Sequence, residues 1–155
     1  GANMAHGVLG TRAMQAALGG VRRVSGGRVP KWSPTLPRPV RFRPRVRAPE
    51  TGEPMVYFPS CAARNMGAQR GDDPNEALPD AAERLFRKAG FDVRYPERLA
   101  ELCCGQPFES KGLVAAADRK SAELEAALRD ASDGGRLPIV FDTSPCAYRM
   151  KRYLG

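Results

Sequence analysis

The chain reads as an α/β protein: a small open, mainly parallel sheet with helices, preceded by a helical and Pro/Arg-rich extension. Two observations carry this reading. From residue 55 onward, short apolar runs suited to strands alternate with longer stretches of helical periodicity, the pattern that builds parallel sheets. Before residue 55, Gly, Pro and Arg dominate and no stretch supplies the apolar residues of a core. The expected organisation is an amphipathic helical segment over 1–24, a basic Pro-rich linker over 25–54, and a cysteine-rich α/β domain over 55–155.

In the first segment Met4, Val8, Met14, Ala17, Leu18 and Val21 lie partly at helical spacing, although Gly7, Gly10, Gly19 and Gly20 weaken the helix. Residues 25–54 are expected to form an extended, solvated basic tether, with Trp32 and Phe42 as the side chains suited to docking. "MVYF" (55–58) is a short strand run stopped by Pro59. "NEALPDAAERLFRKAG" (75–90) predicts a helix with Pro79 in its first turn, Ala82, Leu85, Phe86 and Ala89 inward, and Gly90 beyond its end. "FDVRY" (91–95) alternates as a strand does. Residues 112–135 form the longest expected helix, with Val114, Ala117, Ser121, Leu124 and Leu128 as its buried stripe and Gly134 and Gly135 ending it. "PIVFD" (138–142) shows little alternation, so a buried strand is expected.

Charge is divided unevenly. The chain carries a formal net charge of +8, yet residues 1–54 hold ten Lys/Arg against two Glu, while residues 55–155 hold fifteen of each sign. The basicity therefore belongs to the extension and not to the domain, which argues against nucleic acid as the partner. No apolar run approaches the length of a transmembrane helix, and residues 1–24 have the wrong order of charge and apolarity for a secretory signal. A cytoplasmic, reducing location is the expectation, in which free thiols or metal ligands are commoner than disulfides. The sequence opens on Gly1 without an initiator Met and reads as a piece of a longer protein.

The four cysteines fall at matching places. Cys61 follows the strand 55–58 by a Pro-Ser turn, and Cys146 follows the strand 138–142 by a Thr-Ser-Pro turn. Cys103 and Cys104 lie a short loop beyond strand 91–95. Forty-one residues separate Cys61 from Cys103, and forty-one separate Cys104 from Cys146. One strand–helix–strand passage in each gap returns the chain to the same sheet edge, where sites form in open parallel sheets. A thiolate at a helix N-terminus is stabilised by the dipole and free N–H groups, and four thiolates suit tetrahedral zinc or an iron–sulfur cluster. Buried reduced cysteines and a thiol/disulfide switch are the competing readings.

The set "YFPSCAARNMG", "LCCGQPFESKG" and "FDTSPCAYRMKR" resembles the cysteine-rich CCG domain of iron–sulfur oxidoreductases, a group that includes one of the heterodisulfide reductase subunits and the glycolate oxidase iron–sulfur subunit. It is most similar to the C-terminal region of the FAD- and iron–sulfur-containing D-lactate dehydrogenases of cytochrome type. The resemblance covers residues 55–152, and "GTRAMQAALGGVRRVSGGRVPKWSPTLPR" is similar to the segment that follows the ferredoxin-like cluster domain in those enzymes. It implies a longer protein with FAD and ferredoxin-like cluster domains outside this chain. It also implies oxidation of D-lactate or another 2-hydroxy acid, electrons leaving toward a cytochrome or quinone, and peripheral attachment to the cytoplasmic face of the inner membrane.

Carried over by motif, Cys61, Cys103, Cys104 and Cys146 match the CCG cysteines and would hold a [4Fe–4S] cluster, with zinc as the alternative. Fuller CCG motifs end in C-x-x-C, but Arg149 stands three after Cys146, which argues against a five-cysteine cluster. Arg64, Asn65, Gln106, Glu109, Ser110, Lys111 and Arg149 flank the cysteines and are expected as donors or polar neighbours of the sulfurs, in competition with ordinary loop polarity. Asp142 is expected to cap a helix over 146–154. His6 lies in the extension and is expected to be neither ligand nor catalyst. The glycine pairs 19–20 and 26–27 do not make a phosphate loop.

Overall fold

The structure, a computed structural model, describes residues 2–29, 33, 40–44, 51–67 and 77–154. Three parallel strands, β1 (Glu53–Phe58), β2 (Phe91–Arg94) and β3 (Ile139–Phe141), pair in the order β2-β1-β3. The α/β class predicted from strand–helix alternation is the one observed. β1 is the central strand, and its last four residues are buried on both faces. Alternation sends Val56 and Phe58 to one side and Met55 and Tyr57 to the other. Val56 and Phe58 pack with Leu124, Leu128, Cys146 and Met150; Met55 and Tyr57 pack with Val93, Ala82 and Phe86.

Helix α1 (Ala2–Val24) forms as its spacing predicts, but it kinks at Gly10, whose φ of 73° and ψ of 169° leave the helical region. Met14 is its one buried hydrophobic residue among those described. The short helix α2 (Cys61–Asn65) follows β1 directly. Helix α3 (Leu78–Lys88) carries Pro79 in its first turn and ends before Gly90, which takes the left-handed conformation, φ 92°, expected beyond a helix.

The inner face of α3 corrects the sequence reading. Leu85 is 64% exposed, and the inward residues are Pro79, Ala82, Glu83 and Phe86. Glu83 is tolerated inside because its carboxylate accepts hydrogen bonds from Arg87 Nε and Tyr95 Oη, both at 2.9 Å. A buried, satisfied carboxylate thus turns the helix away from the face that apolar spacing selects.

After β2 come a single 3₁₀ turn (Leu99–Glu101), the short helix α4 (Gln106–Glu109), the long helix α5 (Val114–Ala131) and α6 (Ser144–Leu154). The buried stripe of α5 is Ala117, Ser121, Leu124 and Leu128; Val114, at the first turn, is 54% exposed. β3 is half-buried along its length and not fully buried as its apolar run suggests. It pairs only with β1, so its other edge has no strand beside it among the described residues.

The linker is not solvated throughout. Val40 N donates to Asn65 O at 3.1 Å and Phe42 N to Arg64 O at 3.0 Å, so this strand of linker is bonded to α2. Phe42 packs against the core with its ring centroid 5.8 Å from that of Tyr95, while Arg41 and Arg43 on either side are exposed. The bonded segment corrects the expectation of a free tether here; Trp32 lies outside the described residues. Phe42→Ala is expected to lower stability by about 1–2 kcal/mol, the cost of a partly buried aromatic ring. Urea unfolding against the parent protein measures it, and an unchanged midpoint would mean that the strap contributes nothing.

Candidate metal centre

The strand order places a topological switch point at β1. The chain leaves β1 for β2 on one side and returns from β2 to β3 on the other, so the carboxyl ends of β1 and β3 diverge around a crevice where ligands bind in open sheets. Cys61 and Cys146 follow those two strand ends.

Each turn is built to present its cysteine. Ser60 caps α2, its hydroxyl accepting from Ala63 N at 3.2 Å, and Cys61 is the first helical residue. Cys146 lies in the first turn of α6 and donates its backbone N–H to Thr143 O at 3.1 Å. Asp142 joins the two turns. Its Oδ1 accepts from Ser60 N at 2.9 Å and from the Thr143 hydroxyl at 2.8 Å, and its Oδ2 accepts from Tyr57 Oη at 3.2 Å. This corrects the expected helix-capping role on the following helix: Asp142 ties the end of β3 to the end of β1. Burial, followed by the Asp142 charge, pushes the Tyr57 phenol well above its usual range.

Cys103 and Cys104 come in on the third arm. Gly105, at φ 87°, turns the chain into α4, whose opening backbone N–H groups bond the sulfurs: Gly105 N donates to Cys103 Sγ at 3.5 Å, and Gln106 N–H donates to Cys104 Sγ. Ser121 Oγ on α5 donates to the Cys104 carbonyl at 2.9 Å and fixes this arm to the long helix.

The four cysteines, 85 positions apart at their extremes, meet as one chain of contacts. All are free thiols. Cys104 Sγ lies 3.2 Å from Cys146 Sγ, and Cys103 lies close enough to Cys104 and Cys61 for their thiols to act on it. Cys104 and Cys146 are buried; Cys61 and Cys103 are partly exposed. Hydrogen bonds from Cys104 and then Cys61 hold Cys103 far below the usual thiol range, and the hydrogen bond from Cys104 lowers Cys146. Cys61 and Cys104 are raised, first because each donates to Cys103.

Among the described residues, no three of His, Cys, Asp and Glu already surround a common metal position. The donor set nevertheless fits a thiolate-bound metal, since four free sulfurs from three strand ends share one crevice. Zinc–sulfur bonds near 2.3 Å imply sulfur separations of about 3.8 Å in a tetrahedron. The Cys104–Cys146 pair at 3.2 Å has only to open modestly, by exchanging its S–H···S bond for metal bonds.

The remaining flanking residues divide. Gln106 reaches a sulfur through its main chain, and Arg64, buried to 4% exposure, donates to the Leu99 and Leu102 carbonyls ahead of Cys103. Arg149 goes elsewhere. Its Nε donates to Ser121 Oγ at 3.2 Å, its Nη1 to Glu109 at 2.9 Å, and its Nη2 to Asp118. It thus braces α6 against α4 and α5, correcting the expectation of a sulfur donor. Glu109 serves that brace, with Arg152 also 3.6 Å away. Asn65 Nδ2 donates to Cys61 O at 2.8 Å, the Ser110 hydroxyl donates to Pro107 O at 3.1 Å, and Lys111 is exposed. Sequence reasoning passes over Asp118, Ser60 and Gly105 as site residues. Only Gly105, following two cysteines, carries a local signal.

Arg149→Met is expected to cost about 2–3 kcal/mol, because loss of a nearly buried cation leaves two partly solvated carboxylates behind. Chemical denaturation at neutral pH reads it, and a loss below about 0.5 kcal/mol would mean that the brace is dispensable.

Comparison with known protein families matches residues 55–151 to the CCG cysteine-rich domain. Neither a curated protein nor a solved structure matches the chain. No helix among the described residues is long and apolar enough to cross a membrane.

Proposed function

Since the chain belongs to the family of the CCG cysteine-rich domain, we propose that its residues 55–155 form an iron–sulfur unit, for electron transfer or structure, in an FAD-dependent D-lactate dehydrogenase. The observation that supports this best is the meeting of Cys61, Cys103, Cys104 and Cys146 around the ends of β1 and β3.

These four residues would hold a [4Fe–4S] cluster, which when bound takes up and releases one electron at a time. The chain's own groups prepare that position. Burial of Cys104 and Cys146 keeps water from one side. The N–H groups of Gly105 and Gln106 offset thiolate charge, and such bonds raise the reduction potential of a thiolate-bound centre. Partial exposure of Cys61 and Cys103 leaves the other side open toward a redox partner. In the whole enzyme, FAD and ferredoxin-like cluster domains would supply the electrons, and a cytochrome or quinone would receive them. The ten basic residues of 1–54 suit a peripheral position at an anionic membrane face.

Zinc is the second reading, favoured by Arg149 standing at the position of a fifth cysteine and by a sulfur separation close to a tetrahedral edge. The glycolate oxidase iron–sulfur subunit is the neighbouring assignment, with flavin on another polypeptide. Anaerobic purification with iron, zinc and sulfide analysis, then EPR after dithionite reduction, tests the proposal. The expected result is about four irons per chain and a cluster signal on reduction. A colourless, iron-free protein with all its cysteine thiols titratable overturns it.

A further inference from the structure

Arg64 is buried to 4% exposure, a costly state for a cation unless something there uses it. Its Nη1 donates to Leu99 O and its Nη2 to Leu102 O at 2.5 Å, the carbonyl immediately before Cys103. The residue belongs to α2, the helix that Cys61 opens, so this one side chain spans the Cys61 arm and the Cys103 arm. The guanidinium carbon lies 5.3 Å from the Phe58 ring centroid, at the end of β1. Its backbone carbonyl accepts from Phe42 N of the strap at 3.0 Å.

Two facts separate Arg64 from an ordinary structural bracket. Its Nε is buried with no hydrogen-bond partner among the described residues, a state that native interiors avoid. Its guanidinium is held between the helix that Cys61 opens and the backbone carbonyl one residue before Cys103. A buried cation with a spare N–H, held between the two arms that carry Cys61 and Cys103, matches a centre whose four sulfurs become anionic on binding a metal.

Building on the metal reading above, we propose that Arg64 is the positioning cation of the thiol quartet: it holds the Cys61 and Cys103 arms in register and neutralises the charge of the metal-bound thiolates. Asp142 is committed to the two cysteine turns through Ser60 and Thr143. A bracket alone needs only geometry, whereas this role needs geometry and a positive charge.

The test loads cobalt(II) into the anaerobically prepared full chain and into Arg64→Gln and Arg64→Lys. Affinity is read by chelator competition and the thiolate-to-cobalt charge-transfer band by absorption; melting of the metal-free proteins is followed in parallel. The expected result is at least tenfold weaker binding in Arg64→Gln, with the band moved to lower energy as thiolate stabilisation is lost. Arg64→Lys should recover most of the affinity through its charge. Affinity within twofold of the parent and an unmoved band in Arg64→Gln overturn the proposal. So does equal loss in both variants with the band unmoved, the signature of a bracket only. If Arg64→Gln does not fold, Arg64→Lys decides. A lower melting temperature of the metal-free Arg64→Lys protein, from loss of the bonds to Leu99 and Leu102, with metal affinity within about threefold of the parent supports the charge role. A tenfold or greater loss of affinity with the band unmoved overturns it. Failure of the parent chain to bind either cobalt or iron instead removes the metal reading itself.

Discussion

Cys61→Ser and Cys146→Ser are each expected to remove most of the bound metal, leaving an occupancy of about a quarter of the parent or less, with the fold retained. The two residues stand 85 positions apart but follow adjacent strands, and each contributes one sulfur to a single contact chain through Cys103 and Cys104. A serine hydroxyl occupies nearly the same volume but stays protonated, so it cannot replace a thiolate ligand. Cys61 is partly exposed and Cys146 is 6% exposed, so neither substitution opens a large cavity. Metal analysis and circular dichroism on anaerobically prepared variants read the two effects separately. Loss in one variant with full occupancy in the other would mean that the four sulfurs do not share one metal.

The convergence that makes this prediction possible is legible in the sequence because it depends on local signals repeated at the right distances. A strand, a turn and a cysteine recur at 61 and 146, and equal gaps imply equal crossovers. Parallel connectivity then brings strand ends to one edge whatever the side chains between them. The features hidden from sequence reading depend on partners distant in the chain. Arg149 beside Cys146 has the position of a sulfur donor, but Glu109 and Asp118 on two other helices hold its guanidinium in place of the thiols. Leu85 fits an apolar stripe, yet the bonds of Glu83 to Tyr95 and Arg87 decide which face of α3 is buried. A Pro/Arg-rich linker carries no periodic signal, so the seating of Phe42 on Tyr95 emerges only from the assembled surface. Asp142 likewise needs β1 and β3 side by side before its carboxylate can find Ser60.

Gly105→Ala is expected to be the most damaging single-methyl change in the domain, costing roughly 3–4 kcal/mol, the combination of a left-handed backbone penalty and an unrelieved clash. At φ 87° an L side chain is already strained. The added Cβ would also lie 2.3 Å from Ala117 O and 3.0 Å from Ala117 C and Cα, all backbone of α5. Ala117 is fully buried and cannot swing aside as a long side chain would. Relief therefore requires α4 to move off α5, which stretches the Ser121–Cys104 bond and withdraws the Gly105 N–H from Cys103. Stability and metal occupancy should fall together in this variant, whereas Cys103→Ser should lose metal with only a small change in unfolding midpoint. Urea titration and metal analysis on the pair distinguish the two outcomes. If Gly105→Ala keeps both parental stability and parental occupancy, the close packing of the Cys-Cys-Gly turn on α5 is not what positions the sulfurs.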